Sequence, residues 1–554
     1  MTDKDPKRIE TKVDVEAAAP SLKDVPIDPD RFFRDSDDST GTVRGLKARH
    51  LQLIAIGAAV GTGLFIGSSR SLIYAGPIGA FVAYALYSAV IWDLCLGVGE
   101  MAAFLPVRGG YINWASMYLD PAVSFAIGWN QFYAATMFGC ADIVAATGLL
   151  GYWWPHINPA VWISIALVIV IALNVYHVKF FGEAEFYFAS LKVILILMMI
   201  FMAFIVMLGG NPKHDRIGFR YWKKPGVWAE YHSTGALGRF LGFWQVFKIA
   251  AFSIGGPDTV AMCSAEAVQP RRSVPRATKS VVLRLAVFFG LGILSMGVLV
   301  PYNDPVLLET TSTGVGADAS AFVVGMKRVG IRYLPDIFNF MVLTSALSCT
   351  NGFAYIATRV LHSLASRGEA PAIFARTTKR GVPIYAFGLV VGILCLSYMQ
   401  VSTNSAKVFG WFINLSSVAA LINNCTLSFM AIRFRTGLKV QGYPSNFLPW
   451  STRFTVPWCY FSFTLSLLIM LTQGWTVFVK GGWNVQEFLS AYFGIALFAV
   501  LFTGWKIKHK TKMVKLKDMD FDSRVEEFDK LDEYYRENPP TSTTWWGRLL
   551  DKLF

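Results

Sequence analysis

Gly61, Thr62 and Gly63 interrupt an apolar run that extends from about Leu51 to Ile73. Ser253, Gly255, Gly256, Pro257 and Asp258 interrupt a second, from about Phe240 to Ala267. Each run is long enough to cross a bilayer as a helix. A helix in lipid satisfies its own backbone. Clustered Gly and Pro give that up, at several kcal/mol per bare group unless protein, water or a ligand takes over. Around Gly61-Thr62-Gly63, the spacings Gly57 to Gly61 and Gly63 to Gly67 also suit close helix packing. An unwound turn there would instead present free N–H groups and the positive end of a half-helix to an anion such as a carboxylate. At the second break Pro257 removes a donor and Gly255 and Gly256 permit unusual φ/ψ, so carbonyls near Ser253 and Ile254 are freed to hold an ammonium group. Together the two breaks suit a zwitterion. Two kinked structural helices are the alternative. Paired breaks about five apolar segments apart point to an inverted-repeat transporter with its site near the bilayer midplane.

Ionisable groups inside apolar segments form the second set. Asp142 lies in the third segment, Lys192 in the fifth and Lys248 in the sixth. A charge at membrane depth is costly and usually faces a cavity or a partner. Burial disfavours the charged form of Lys, which suits Lys192 to carrying a proton. A structural ion pair or a snorkelling Lys is the competing explanation for each. Glu100 and Glu266 fall at helix ends, with Arg271 and Arg272 soon after Glu266. They are read either as gating pairs or as solvated surface. Phe252, Trp244, Trp129 and Phe409 are weaker candidates for the wall of a site, since aromatic residues in membrane segments more often pack or face lipid.

The elements that must position these residues follow from composition. The 554-residue chain is 54% hydrophobic and only 16% charged, against roughly 25% charged for a soluble protein. Apolar segments start near residues 51, 78, 121, 160, 186, 240, 282, 335, 384, 408, 455 and 488. This predicts an all-α polytopic membrane protein of twelve transmembrane helices. Residues 1–45 read as a disordered cytoplasmic tail and 46–508 as the transmembrane domain. Within that domain the first repeat covers about 51–208, the second about 239–433, and the last two helices about 455–507. Residues 509–554 read as a second cytoplasmic tail, in which Trp545, Trp546, Leu549, Leu550 and Phe554 could form a surface-lying end. The net charge of +14 concerns topology rather than nucleic acid. Lys47, Arg49, Arg271, Arg272, Arg276, Arg433, Arg435 and the run Lys506 to Lys517 place both termini in the cytoplasm. The loop near 209–239, with Lys213, Arg216, Arg220, Lys223 and Lys224, dissents but is long enough to weaken the rule. All seven Cys lie in apolar segments and read as small apolar residues, with no CxxC. The seven His show no ligand spacing, so no metal is expected. No Gly-Lys dipeptide exists, so there is no ATP-binding P-loop, and no cofactor is expected. No nucleophile–base set suggests an enzyme. An ion gradient, or the substrate's own gradient, would drive transport.

These residues fall in ordered blocks. Leu46-Lys-Ala-Arg-His50 precedes Ile56-Gly-Ala-Ala-Val-Gly-Thr-Gly-Leu-Phe-Ile-Gly67, and Gly99-Glu-Met-Ala102 ends the second segment. Gly182-Glu-Ala-Glu-Phe186 and Ala189-Ser-Leu-Lys192 open the fifth. Ile217-Gly-Phe-Arg-Tyr-Trp222, Gly238-Arg-Phe-Leu-Gly242, Ser273-Val-Pro-Arg-Ala277, Leu299-Val-Pro-Tyr-Asn-Asp-Pro305 and Lys379-Arg-Gly-Val-Pro383 follow. In this the chain resembles the fungal amino acid permeases of the amino acid–polyamine–organocation superfamily, from about residue 44 to 505. The resemblance implies a LeuT-like fold, helices 1–5 and 6–10 as a 5+5 inverted repeat plus two C-terminal helices. It implies proton-coupled amino acid import, usually at the plasma membrane, with amino acid, protons and the lipid bilayer as partners. Carried over, Gly61, Thr62 and Gly63 would bind the α-carboxylate. Backbone near Ala55 to Ala58, and from Ser253 through Ile254 and Gly255 to Gly256, would take the amine. Lys192 matches a lysine implicated in proton coupling.

The chain departs from the family where the pocket is expected. Ala58-Ala59 stands for Gly-Thr, and Gly255-Gly256-Pro257-Asp258 for Gln-Gly-Thr-Glu. Asp142 stands for a Glu, Leu347-Ser-Cys-Thr-Asn351-Gly352 for Trp-Ser-Ala-Gly-Asn-Ser, and Lys248 for an uncharged residue. Architecture is thus expected to be retained while substrate choice has moved. Lys248 would favour an anionic substrate or pair with Asp258 or Asp142. The alternatives to a proton/amino acid symporter are a non-transporting amino acid receptor, and a permease or exporter for a modified amino acid or amine.

Overall fold

The computed structural model describes residues 61–522 except 108, 177, 264–269, 379–380, 445–446 and 453–454, together with 529, 533, 536 and 537. Ala55, Ala58, Glu266 and the first 45 residues lie outside the described residues, as do Trp545, Trp546 and the rest of the chain's end. Among the described residues every regular element is helical.

A π-helical turn, Gly63–Gly67, runs into α1 (Ser68–Phe104). Short α2 (Tyr111–Tyr118) leads to α3 (Pro121–Gly151), α4 (Pro159–Tyr176) and α5 (Val178–Leu208). After a loop come α6 (Gly235–Ser253), α7 (Pro257–Cys263) and α8 (Pro270–Arg284). A second π-helical stretch, Leu285–Leu291, joins α8 to α9 (Gly292–Leu299). Two short helices follow, α10 (Pro305–Thr313) and α11 (Ala321–Arg328), then α12 (Leu334–Ser366) and α13 (Ile384–Leu394). The chain closes with α14 (Ser405–Val440), α15 (Thr455–Thr472) and α16 (Val485–His509).

Among the described residues seven helical runs are long and apolar enough to cross a membrane, and three shorter apolar helices accompany them. The longest run, Gly63–Phe104, is two passes joined at a corner. Gly76 adopts φ +72° and ψ 177° inside α1, and Pro77 restarts the helix. A Cβ at Gly76 would lie 2.7 Å from both Val227 O and Ala229 N, so glycine is required there by conformation and by close approach. With that corner counted, each predicted apolar segment overlaps a described helical stretch, the first of them only from Gly61 on. Outward surfaces are apolar, as a lipid-facing wall demands: Val168 and Phe201 are each 64% exposed. Polar side chains are also buried inside the bundle. Asn130, Gln131, Asn414, Ser416, Ser417, Asn423 and Asn424 are buried on α3 and α14.

The bundle has two distinct ends. At one, the loop face, Lys213 Nζ donates to Arg328 O at 2.7 Å, tying the segment after α5 to α11. At the other, the tail face, Glu100 at the end of α1 pairs with Arg435 of α14 at 2.5 Å and accepts from Thr452 N at 2.7 Å. The chain beyond α16 crosses this face as a strap. Val514 N donates to Leu119 O at 2.8 Å, and Gln441 Nε2 donates to Leu516 O and Met519 O, each at 2.9 Å. Met519 and Phe521 are buried, with Phe521 stacked on Tyr118 and edge-on to Phe434. Asp120 caps α3 through Ala122 N and takes Lys506 Nζ of α16 at 2.7 Å. Burial works against its ionisation, but the hydrogen bonds from Lys506, Ala122 and Thr511 prevail and hold the carboxyl below its usual range.

Candidate functional site

The two predicted breaks meet at one point. The first lies at Gly61, a bend where the helix that becomes α1 begins, and Leu64 N donates to Gly61 O at 3.2 Å. Thr62 and Gly63 therefore sit at the start of the described helix. The second break is the non-helical stretch Ile254 to Gly256 between α6 and α7, with Gly256 at φ +141°. α6 runs from the loop face and ends at Ser253, leaving its last carbonyls without intrahelical donors. A Cβ at Gly63 would lie 2.7 Å from both Ser253 Cα and Ser253 Oγ. The positive start of one half-helix and the negative end of another are thus in van der Waals contact, the pairing of partial charges a zwitterion needs. Ser253 Oγ is itself fixed, donating to Ile249 O at 2.8 Å and lying 3.2 Å from the Tyr84 hydroxyl.

Two buried ionisable side chains are tied to the first break. Thr62 Oγ1 donates to Asp142 Oδ1 at 2.6 Å, with both residues buried. A bond this short is in the charge-assisted range. Lys192, 1% exposed, donates through Nζ to Cys349 Sγ at 3.2 Å. A Cβ on Gly61 would lie 3.4 Å from the same Sγ, so Cys349 bridges Lys192 to the bend. Asp142 is also within electrostatic range of Lys192. A carboxylate and an ammonium, brought by α3 and α5, therefore reach the same turn of chain, Asp142 directly at Thr62 and Lys192 through Cys349.

Beside the break lies an aromatic layer. Phe138 of α3 stacks on Phe252 of α6 at 5.5 Å and on Phe353 of α12 at 5.0 Å, and Phe252 meets Phe409 of α14 edge-on at 5.8 Å. Towards the tail face lies a polar layer. Gln131 Nε2 donates to Asp258 Oδ2 at 3.2 Å, while Gln131 Oε1 accepts from Tyr111 at 2.7 Å and from Asn423 at 2.6 Å. Asn130 Nδ2 donates to Asn423 Oδ1 at 2.7 Å. Asp258 thus connects α7 to α3 and, through Gln131, to α2 and α14.

The structure brings together Gly61, Thr62, Gly63, Asp142, Lys192, Ser253 and Phe252, and places Ile254, Gly255, Gly256 and Asp258 at the second break. Two expectations need adjustment, and Glu100 takes the paired alternative. Asn351 does not face the break: its Oδ1 accepts from Asn174 of α4 at 2.6 Å, and Cys349, two residues earlier and so on another face of α12, takes the place by Gly61. Glu100 is buried and bound to Arg435. Lys248 forms no ion pair with Asp258 or Asp142, which are turned to Gln131 and Thr62. Cys349, Phe138, Phe353 and Gln131 were not singled out from the sequence. A lone Cys, Phe or Gln in an apolar helix carries no spacing signal.

The amino acid permease family model matches residues 50–518. The chain is 40% identical over 477 residues to a proline-specific permease of Saccharomyces cerevisiae, covering 84% of this chain and 76% of the relative. It is 38% identical over 501 residues to a dicarboxylic amino acid permease of the same yeast, covering 90% and 82%. It is 34% identical over 513 residues to that yeast's basic amino-acid permease, covering 92% and 88%.

Proposed function

This chain belongs to the amino acid permease family, and from that premise we propose that it is a secondary active transporter that imports amino acids together with protons by alternating access. It is an integral membrane protein that transports amino acids; proton coupling and the residue roles below are our reading. The observation that carries the reading is the contact of the two helix breaks at Gly63 and Ser253, with Asp142 and Lys192 each linked to the first break.

The loop face is extracellular and the tail face cytoplasmic, with the protein in the plasma membrane. Residues 51–208 and 239–433 form the two inverted repeats, each contributing one broken helix. The α-carboxylate of the substrate lies on the N–H groups at Gly61, Thr62 and Gly63. Its ammonium lies on carbonyls at Ser253 to Gly256 and at Ala55 to Ala58. The aromatic layer of Phe138, Phe252, Phe353 and Phe409 packs around the substrate. The Gln131–Asp258–Asn423 layer and the Glu100–Arg435 pair close the way inward and must part for release. A proton taken by Asp142 or Lys192 changes the charge beside the carboxylate-binding turn, because Thr62 and Cys349 connect each group to it. That is a physical route for proton occupancy to bias substrate affinity.

The test is uptake of a labelled amino acid panel by permease-deficient yeast expressing this chain, with and without a protonophore. Accumulation that collapses with the protonophore supports proton-coupled import. Substrate binding without flux, from protein confirmed at the cell surface, would replace transport by a receptor role.

A further inference from the structure

Two cations converge just above the aromatic layer, and neither has an ion-pair partner among the described residues. Arg70 lies on α1, seven residues past Gly63. Its guanidinium sits over the Phe409 ring at 5.8 Å, and Nη2 donates to Ala406 O at 3.0 Å. Lys248 lies on α6 four residues before Phe252, so the two share a helix face. Both cations are half-buried. Side chains lean towards the N-terminus of their own helix. In α1 that direction leads back to the break, and in α6 it leads out to the loop face. Arg70 and Lys248 are therefore aimed at the same level on the loop-face side of the break, and they lie within electrostatic range of each other.

Little on the protein offsets this charge. The carboxylate within electrostatic range of Lys248 is Glu487 of α16, which itself accepts from Asn414 Nδ2 at 3.4 Å. Among the described residues Arg70 has a carbonyl and a ring face as its partners. The N-terminus of α14, capped by Asn404, adds its partial positive charge beside Arg70. Two like charges and a helix start, held over an apolar ring in a membrane protein, are expensive unless an anion visits them.

We propose that Arg70 and Lys248 form a specificity site for a second carboxylate, so that the preferred substrates are acidic, dicarboxylic amino acids. This rests on the proposed binding of the α-carboxylate at Gly61 to Gly63. The side-chain carboxylate then points to the loop face, between the two cations and against the Phe252–Phe409 edge. A neutral amino acid of the same shape leaves the cations unpaired and binds more weakly.

The test measures thermal stabilisation of the purified full-length protein by L-aspartate and L-glutamate, against L-asparagine, L-glutamine and L-proline. It is paired with uptake of the same five in yeast. Acidic ligands should stabilise at concentrations at least tenfold lower than their amides. Lys248→Met and Arg70→Met should raise the concentration needed for the acids at least tenfold while leaving the amides unchanged. Lys248→Arg should keep the preference. Equal or better response to amides or proline in the wild-type protein overturns the inference and leaves amino acid transport standing. Stabilisation by the acids without uptake supports the specificity site while overturning transport. No response to any of the five in either assay overturns the inference.

Discussion

Replacing Gly63 by Ala tests the contact between the broken helices with a single methyl group. A Cβ at Gly63 would sit 2.7 Å from Ser253 Cα, and real Cβ contacts are rarely closer than 3.4 Å. The deficit, 3.4 minus 2.7 or 0.7 Å, cannot be met by turning a side chain, because the obstructing atom is backbone. Either α6 or the helix start at Gly63 must move. Overpacking of this kind costs about 1–3 kcal/mol. If the cost falls on the closed, substrate-holding state, transport should fall about five- to 150-fold. Gly67 provides the control, in the same apolar run and only four residues on. There a Cβ would meet Ile249, Phe252 and Ser253 at 3.6 to 4.0 Å, which is ordinary contact. Gly67→Ala should transport within about twofold of wild type. Ser253→Gly added to Gly63→Ala removes the Oγ and Cβ contacts but leaves the Cα, so it should restore transport only in part. The assay is initial uptake rate divided by surface protein, with thermal stability recorded for each variant. Wild-type uptake by Gly63→Ala, or equal impairment by Gly67→Ala, would refute the reasoning that the breaks work in contact.

Other consequences are as direct. Thr62→Val removes the donor to Asp142, so stability should fall by about 1.5–3 kcal/mol, read as a lower thermal midpoint of the purified protein. Asp142→Asn keeps a carbonyl acceptor for Thr62 but holds no exchangeable charge; it should bind substrate and lose proton-driven accumulation, measured with and without a protonophore. Phe521→Ala empties the aromatic seat of the strap and should cost about 3–5 kcal/mol, seen as a lower thermal midpoint or as proteolysis after α16. Asp120 carries a depressed folded pKa, so its stabilisation is present above about pH 3.9, its unfolded value, and is lost as pH falls through the folded value. The difference in thermal midpoint between wild type and Asp120→Asn should be constant from pH 5 to 8 and shrink below pH 4.

The large features were legible because they rest on composition and on backbone chemistry. Runs of apolar residues located the helices, and Gly-Thr-Gly with Gly-Gly-Pro located both breaks. The ionisable groups of the site, Asp142 and Lys192, stood out because charge in an apolar segment is costly. Their partners did not. Thr62 and Asp142 are 80 positions apart in sequence, and no local pattern says that they touch. The eighth apolar segment offered Cys349 and Asn351, and only the rotation of α12 decides that the thiol reaches Gly61 while the amide faces α4. The strap was hidden for a different reason. Residues 510–522 are dominated by Lys and Asp, and two apolar side chains, Met519 and Phe521, are enough to seat it once a pocket formed by distant helices exists.

The central claim is that amino acid movement through the two breaks is coupled to protons by Lys192 and Asp142. The most direct measurement uses purified protein in liposomes with a pH-sensitive dye trapped inside and no initial gradients. Adding transported amino acid outside should acidify the lumen in wild-type vesicles. Lys192→Met vesicles should bind the amino acid but show no acidification and no accumulation above equilibrium under an imposed pH gradient. Amino acid entry without lumen acidification in the wild type, or unchanged proton movement in Lys192→Met, would contradict the account.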